Sequence, residues 1–298
     1  MTFIQAIILG VLQGVTELFP VSSLGHSVIL PAFLGWDNVV AAQQAPESYF
    51  LAFLVGLHVA TALALAVYFR EDWKRIIRAV LGSIAQRRID GPDARLGWLL
   101  IVATIPAGLL GIIFEHEFRV VFATPFLAGI LLFINGLILL VGERLRRRSA
   151  GPHSRPIRLG PATRDISRDR YRELDTLEFR EAGAIGVAQV FALLAGISRS
   201  GITMVAGLVR GLDHEDAARF AFLLATPIIL AAGVYKLPDL LGPNGSGVRG
   251  QVLAGSIAAA IAAYLSVRFL SRWFTTRTLT PFAIYCLIVG FVTVVRFH

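Results

Sequence analysis

The side chains that could do chemistry lie at two interruptions in otherwise apolar segments. The first interruption carries Gln13 and Glu17, a break at Pro20, and then Ser23 and His26. Gln13 and Glu17 are four residues apart and share one face of a helix, which Pro20 ends because proline cannot continue the hydrogen-bond ladder. An ionisable carboxylate and an imidazole inside an apolar segment are costly, and their presence therefore indicates a functional site.

A hydroxyl and an imidazole follow the break at helical spacing. Ser22 or Ser23 can cap the next helix, and Ser23 lies three residues before His26, so these two side chains can reach a common point. Ser23 is therefore a candidate nucleophile and His26 a candidate general base. A phosphohistidine on His26 and direct attack by water remain alternatives. A purely structural role as a capped helix break is the plainer one.

The second interruption has the composition of an anion site. It reads Gly196-Ile197-Ser198-Arg199-Ser200-Gly201-Ile202-Thr203, with a guanidinium between two hydroxyls and a third hydroxyl one turn further on. Free N–H groups at a helix start, a favourable helix dipole and a planar guanidinium together bind phosphate. The plainer alternative is that Arg199 neutralises Glu17 across the bundle, and the two roles can alternate.

Together, these side chains favour phosphoryl transfer. They supply one carboxylate, one imidazole, several hydroxyls and one guanidinium, which suits a phosphorylated amphiphile better than acyl transfer or redox chemistry. The chain has no glycine-rich phosphate loop with lysine and no His-Glu-x-x-His zinc motif, and Cys286 is its one cysteine. The pattern predicts a phosphate-handling site at membrane depth.

The composition excludes a soluble enzyme and a disordered chain. Of 298 residues, 55% are hydrophobic and only 16% are charged, against roughly 25% in soluble domains, and the mean hydropathy is +0.68. The net charge is +8, but nucleic acid is not expected as a partner, because the basic residues lie where the loops of a membrane protein need them. The chain is predicted to be an all-α integral membrane protein whose partner is the bilayer.

Six segments are long and apolar enough to cross a hydrocarbon core, which takes about 20 helical residues. Segments 2–34 and 181–211 are instead cut by the interruptions into halves too short to cross. Irregular backbone at membrane depth must be satisfied by protein or a water-filled cavity, so both segments are predicted to form re-entrant helical hairpins whose tips meet. The six predicted spans are 49–70, 97–115, 120–142, 217–237, 250–271 and 279–297.

The distribution of basic residues predicts the orientation of the spans. With 49–70 running inward, loops 70–95 and 143–180 are cytoplasmic, and that side collects 23 of the 28 Lys and Arg residues, against four outside. Residues 143–180, rich in Arg, Asp, Pro and Gly, are expected to form a basic cytoplasmic linker.

An internal repeat divides the chain into two halves on either side of that linker. Gly10-Val11-Leu12-Gln13 and Gly186-Val187-Ala188-Gln189 match at an offset of 176 residues. Each half, 1–142 and 181–298, then contains one hairpin and three spans. Because three is odd, the second half begins from the opposite face. We therefore expect inverted repeats with a binding site at their interface.

The two motifs also resemble those of a known family. The run from Gln13 to His26, followed by the run from Gly196 to Thr203, is similar to the signature motifs of the undecaprenyl-diphosphate phosphatase family of the bacitracin-resistance type. The likeness covers nearly the whole chain. It implies hydrolysis of the terminal phosphate of a polyprenyl diphosphate lipid, which recycles the lipid carrier of cell-wall synthesis and confers bacitracin resistance.

The resemblance further implies a multi-pass protein of the bacterial plasma (inner) membrane with its active site facing outside. It implies dependence on a divalent cation, Mg²⁺ or Ca²⁺, for which Glu17 is the candidate ligand. Arg199 is expected to bind the diphosphate and to offset charge in the transition state. The hydroxyl groups expected to help it are those of Ser22, Ser198, Ser200 and Thr203.

The chain departs from the family pattern at two positions. The family often has Glu where this chain has Gln13, so a site with two carboxylates is not expected and Glu17 carries that role alone, with Gln13 in support. The family usually has Pro where this chain has Ala195, which is expected to loosen the hairpin tip without removing a functional group. His58, in span 49–70, is a further candidate for a supporting role.

Two other functions compete with catalysis. A flippase returning the polyprenyl phosphate lipid is the chief alternative, because inverted repeats are typical of transporters. A non-catalytic membrane scaffold is the weaker alternative, because a scaffold has no use for Arg199 at membrane depth. The sequence leaves open whether the protein assembles as a homodimer.

Overall fold

The fold consists of helices wherever the structure is described. The computed structural model describes residues 1–45, 49–121, 124–149, 172, 174–235 and 247–298. The helices of the first half are α1 (Phe3–Thr16), α2 (Ser23–Phe33), α3 (Asp37–Gln44), α4 (Tyr49–Tyr68), α5 (Arg70–Gln86), α6 (Pro92–Val121) and α7 (Pro125–Ser149). Those of the second half are α8 (Phe179–Ala188), α9 (Arg199–Val209), α10 (His214–Tyr235), α11 (Arg249–Trp273) and α12 (Thr280–Phe297).

Six of the helices in the described part of the chain are long and apolar enough to cross a membrane. They are α4, α6, α7, α10, α11 and α12, one for each of the six predicted spans. By contrast α1, α2 and α9 are apolar but have at most 14 residues. The protein is therefore a multi-pass, all-helical membrane protein, as the composition predicted.

The predicted boundary between the spans 97–115 and 120–142 lies about five residues too early. α6 continues through residues 120–121, and α7 begins only at Pro125, because proline at the first helical position has a preset φ angle and no N–H to leave unpaired. Residues 122–123, and residues 236–237 of the span predicted over 217–237, lie outside the described part of the chain.

The segment 70–95, predicted as a loop, contains the helix α5. The many charged residues of this segment led to the loop prediction, although its sequence is amphipathic. The residues that recur at helical spacing on one side are Trp73, Ile76, Val80 and Ser83. Ile76 and Val80 pack on α6 where Gly97 leaves room for them. α5 is thus a polar helix at the end of the bundle, and the dense charge did not indicate a loop.

The predicted linker 143–180 is also partly helical. Residues 143–149 belong to α7, residues 150–171 and 173 lie outside the described part, and a short 3₁₀ helix covers Leu174–Thr176. Arg172 donates two hydrogen bonds to Glu181 at the start of α8, at 2.9 and 3.1 Å. This ion pair fastens the end of the linker to the second interrupted segment.

Close helix packing fixes the depth of the two interruptions. α1 lies along α11, where Gly10 meets the backbone of Gly255. α8 lies along α6 in the same manner, where Gly186 meets the backbone of Ala103. Because glycine has no Cβ, the backbones approach more closely than any other residue would allow. Both short helices are therefore held along a long one.

The two interruptions meet in the interior. An ideal Cβ on Gly25 would lie 2.9 Å from the Cα of Gly196, and one on Gly196 would lie 2.6 Å from the carbonyl oxygen of Ala128. Gly196 also has φ +119°, a conformation that side-chain-bearing residues rarely adopt. Glycine is thus required here by both the backbone angle and the space.

We predict that Gly196→Ala destabilises the protein far more than Gly35→Ala. Gly35 also has a positive φ, +63°, but no atom lies within 4 Å of the point that a Cβ would occupy there. The substitution Gly35→Ala therefore measures backbone strain alone, which costs about 1 kcal/mol. Gly196→Ala adds overpacking of about 1–3 kcal/mol. Unfolding of both purified variants in detergent measures the difference, and equal losses would contradict the packing argument.

Candidate active site

The first interruption is a turn between α1 and α2. α1 ends at Thr16 with Glu17 as its C-cap, and the backbone N–H of Val21 bonds the carbonyl of Phe19 at 2.7 Å. Ser22 has φ +70° and caps α2, its hydroxyl accepting from the N–H of Gly25 at 3.2 Å. The chain thus reverses between a carboxylate at the end of one helix and a hydroxyl, Ser23, at the start of the next.

The second interruption repeats this capping pattern. Ser198 caps α9 by accepting from the N–H of Gly201 at 3.1 Å, and Arg199 is the first residue of the helix. The segment before it, Gln189–Leu193, is a 3₁₀ helix. The guanidinium therefore leaves the chain at a helix start, directly opposite the first interruption.

Glu17 is the centre of the site. It is 8% exposed, and its Oε1 accepts from Nη2 of Arg199 at 2.5 Å. Its Oε2 accepts from the hydroxyl of Ser23 at 2.5 Å and from Nε2 of Gln13 at 2.9 Å. Nε2 of His58, from α4, lies 3.5 Å from the same oxygen. One buried carboxylate is thus contacted by α1, α2, α4 and α9.

The side chains on one side of Glu17 remain open. Arg199 and His58 are 17% and 24% exposed, and Ser23 is half-buried. Arg199 holds its second nitrogen, Nη1, on the carbonyl of Ala225 at 3.3 Å, which orients the guanidinium. A ligand can therefore reach a cation, a hydroxyl and an imidazole, while the carboxylate lies behind them.

The hydroxyls predicted to bind phosphate form the framework instead. Ser22 accepts from the N–H of Gly196 at 3.1 Å, and Ser200 donates to the carbonyl of Phe19 at 3.3 Å, so each bonds the opposite interruption. Ser198 lies 3.0 Å from the hydroxyl of Ser200 and caps α9. These hydroxyls and Thr203 are 5% exposed or less. Of the predicted phosphate ligands, Arg199 alone is open to a ligand.

His26 is not brought to Ser23. Its Nδ1 lies 2.7 Å from the carbonyl oxygen of Ser22, and its Nε2 lies 2.8 Å from the hydroxyl of Tyr285 on α12. Ser23 donates to Glu17 instead. Residues three apart on a helix are offset by about 60°, enough to turn one towards α12 and the other towards α1. The sequence-based pairing of these two groups is therefore wrong.

Asn135 was missed as a site residue. It is fully buried in α7, donates from Nδ2 to the carbonyl of Pro20 at 3.0 Å and accepts at Oδ1 from the N–H of Ser198 at 2.9 Å. One amide thus joins both interruptions. A polar amide deep within an apolar span was the signal in the sequence that could have indicated it.

The described residues around Glu17 do not supply the several oxygen ligands that a resident divalent cation needs. Within the described ranges no group of three or more His, Cys, Asp or Glu side chains is arranged to hold a metal. Glu17 is the single carboxylate of the site, and Arg199, Ser23 and Gln13 already occupy its oxygens. A hard cation needs several oxygen ligands, and the guanidinium beside this one repels it.

We predict that removing the charges of Glu17 and Arg199 together destabilises the protein less than removing the charge of Arg199 alone. Arg199→Ala leaves a buried carboxylate unpaired, which costs about 3–5 kcal/mol. Glu17→Gln combined with Arg199→Gln removes both charges and should recover most of that loss. Unfolding of each purified variant tests this, and a double variant no more stable than Arg199→Ala would refute the pairing.

Comparison with known proteins gives matches along the whole chain. It is 55% identical to undecaprenyl-diphosphatase 2 of Frankia alni, covering 100% of this chain and 98% of that protein. It is 55% identical to undecaprenyl-diphosphatase of Mycolicibacterium paratuberculosis, over 97% and 95% of the two chains, and 44% identical to undecaprenyl-diphosphatase 2 of Chromobacterium violaceum, over 98% of each. The family model described as bacitracin resistance protein BacA matches residues 6–292. The chain belongs to the BacA bacitracin resistance protein family.

Proposed function

We propose that the protein hydrolyses undecaprenyl diphosphate to undecaprenyl phosphate and inorganic phosphate. Full-length relatives at up to 55% identity are named undecaprenyl-diphosphatase. The observation that carries the proposal is the Glu17 carboxylate, which accepts from a partly open hydroxyl, Ser23, and from the guanidinium of Arg199 at the same 2.5 Å. This reaction recycles a lipid carrier of cell-wall synthesis, and faster recycling accounts for bacitracin resistance.

In the first step, the hydroxyl oxygen of Ser23 attacks the terminal phosphorus. Glu17 takes the hydroxyl proton, the anhydride P–O bond breaks, and undecaprenyl phosphate leaves while a phosphoserine forms. The 2.5 Å hydrogen bond already points the hydroxyl proton at the base. Of the three candidate nucleophiles, Ser23, His26 and water, Ser23 is the one that has a proton acceptor, Glu17, within hydrogen-bond distance.

In the second step, water replaces the serine. A water molecule attacks the phosphorus of the phosphoserine while Glu17 takes one of its protons. The serine O–P bond breaks, inorganic phosphate leaves, and Glu17 passes that proton to the Ser23 oxygen, which restores the hydroxyl. Glu17 must first lose the proton of the first step, and His58, 3.5 Å away and partly exposed, is the group through which that proton reaches the opening. Oε1 of Gln13, a buried acceptor with no hydrogen-bond partner among the described residues, is suited to hold the attacking water.

Arg199 binds the phosphate and neutralises it. A guanidinium presents two parallel N–H donors to phosphate oxygens and stabilises the charge that spreads over them in the transition state. In the unliganded site the same group neutralises Glu17. A guanidinium has five N–H donors, and Glu17 and the carbonyl of Ala225 use two of them, so Arg199 can bind a phosphate while it still neutralises Glu17.

The cation implied by the family resemblance enters this proposal only with the substrate. Mg²⁺ is commonly bound in proteins through substrate phosphates with few protein ligands. A Mg²⁺ or Ca²⁺ ion carried by the diphosphate needs no cluster of carboxylates, which agrees with the single carboxylate, Glu17.

We further propose that the two halves are inverted repeats whose interrupted segments are re-entrant hairpins. Contacts related by the 176-residue offset support this. Gly25 packs on Gly196, and Gly201, its counterpart, packs on Pro20, the counterpart of Gly196. The cap of Ser22 on Gly25 likewise has its counterpart in the cap of Ser198 on Gly201. Such matched contacts are expected across a pseudo-two-fold axis.

The proposed membrane is the bacterial inner membrane, with the basic ends of the helices in the cytoplasm and the opening beside Arg199 and Ser23 facing outside. The excess of Lys and Arg at one set of helix ends supports this orientation.

We predict that Ser23→Ala lowers phosphate release from undecaprenyl diphosphate by about 10³-fold or more. Glu17→Gln keeps the shape but removes the base, and should cost about 10²–10⁴-fold. His26→Gln should cost only about tenfold, because it breaks hydrogen bonds worth ~1 kcal/mol each at a position turned away from Ser23. Rates of phosphate release by the purified variants test this order. A phosphorylated His26, or a His26 variant as inactive as Ser23→Ala, would refute the assignment.

We predict that Asn135→Ala reduces kcat by about 10²-fold, because small displacements of catalytic groups cost that much. Gln189→Ala is the matched control: Gln189 is a buried amide that donates to the carbonyl of Ala103 at 3.2 Å but does not join the two interruptions. Both variants should lose similar stability. If Asn135 positions the two interruptions, kcat should fall at unchanged KM in Asn135→Ala but not in Gln189→Ala. Equal losses of kcat in the two variants would exclude a positioning role for Asn135.

A further inference from the structure

An open groove lies at the end of α11, and its lining residues are not among those that contact Glu17. Its volume is about 450 Å³, and its lining includes the arginines Arg268, Arg272 and Arg277 and the apolar side chains of Leu265, Phe269 and Trp273. None of these residues contacts Glu17 in the described part of the chain. We call this feature the α11 groove.

The three arginines of the α11 groove have no acidic partner among the described residues. Other arginines at the same helix ends are neutralised: Arg219 lies 2.6 Å from Asp72, and Arg172 lies 2.9 Å from Glu181. In the groove, Arg277 lies over the ring of Trp273 at 5.8 Å instead. Three positive charges on one short stretch of surface are thus left without a counter-charge from the protein, which suits an anionic ligand.

The apolar wall of the α11 groove is preformed. Phe269, which lines the groove, is 48% exposed, and its ring stacks parallel on Phe19 with centroids 6.0 Å apart. Trp273 packs against Phe269 at 5.7 Å and edge-on against Phe282 at 5.9 Å. Because these rings are packed against other aromatic side chains, their exposed surfaces are held in position, and a ligand can bind without rearranging them.

The position of the groove matches the membrane interface. α11 has 25 residues, about 37 Å, enough to cross the hydrocarbon core, and the groove lies at its last two turns. Tryptophan and arginine are typical of the headgroup level, where an apolar body faces the lipid chains and a polar tip faces water. Below the arginines, the exposed side chain of Leu265 continues the apolar wall towards the bilayer centre.

We propose that the α11 groove binds the headgroup phosphate of an anionic phospholipid of the surrounding leaflet. The arginines hold the phosphate, and an acyl chain lies along Leu265 and Phe269. The combination selects a lipid over a free anion, because free phosphate would use the guanidinium groups but leave half of the groove, its apolar wall, in contact with water. The proposal does not depend on the hydrolytic reaction.

The test is a lipid titration of the purified full chain in detergent, followed by native mass spectrometry of the lipids retained. Phosphatidylglycerol should bind more tightly than phosphatidylcholine. Arg268→Gln combined with Arg272→Gln should weaken phosphatidylglycerol binding roughly 30-fold, about fivefold for each arginine near an anionic headgroup. Inorganic phosphate at millimolar concentration should not displace the lipid.

The matched control is Arg70→Gln combined with Arg88→Gln. It removes the same charge from exposed arginines that have acidic partners, with Glu71 at 3.4 Å and Asp90 at 2.7 Å. This variant should keep the affinity for phosphatidylglycerol. Equal weakening in the two double variants, unchanged binding in Arg268→Gln/Arg272→Gln, or displacement by inorganic phosphate would each overturn the proposal. Unfolding curves that match the wild type confirm that both variants are folded.

Discussion

The structure depends on one buried ion pair, between Glu17 and Arg199. The two residues are 182 positions apart in the chain, and each stands at the end of a helix that stops short of crossing the bundle. A carboxylate or a guanidinium alone at this depth would cost several kcal/mol. Each interruption therefore supplies the charge that neutralises the buried charge of the other. Without its counterpart, each would carry an unpaired buried charge.

The same pair explains why the site is chemically ready before a ligand arrives. Glu17 accepts hydrogen bonds from the Ser23 hydroxyl and from the Arg199 guanidinium, so the hydroxyl hydrogen already points at the carboxylate. Gln13 supports the opposite edge of the carboxylate without adding a second negative charge. Among the described residues in contact with Glu17, Arg199 is thus the cation that faces the single carboxylate.

Much of this arrangement could be predicted from the sequence, because it rests on strong signals. Twenty-residue apolar runs predict spans, and α4, α10, α11 and α12 lie within a few residues of their predicted limits. A proline or glycine break with charged residues inside an apolar segment predicts an interior site. The structure brings together Glu17, Ser23 and Arg199, which lie at the two predicted breaks.

The remainder could not be predicted, because it depends on which way a side chain turns. Ser22 and Ser200 were expected to bind phosphate, but each bonds the backbone of the opposite interruption. His26 has the spacing of a catalytic base, but Tyr285, from a distant helix, takes its Nε2. The amphipathic character of α5 was hidden by its charges. The spacing of residues along one helix predicts the face on which a side chain lies. It does not predict which residue of another helix becomes its hydrogen-bond partner.

Three side-chain-to-backbone hydrogen bonds at the interruptions join the two halves of the chain directly. Proteins that carry a solute across a membrane by rocking separate their two halves on one face and then on the other. Here Ser22 accepts from the N–H of Gly196, Ser200 donates to the carbonyl of Phe19, and Asn135 accepts from the N–H of Ser198. A rocking movement of this kind would have to break these hydrogen bonds, each of which contributes about 1 kcal/mol.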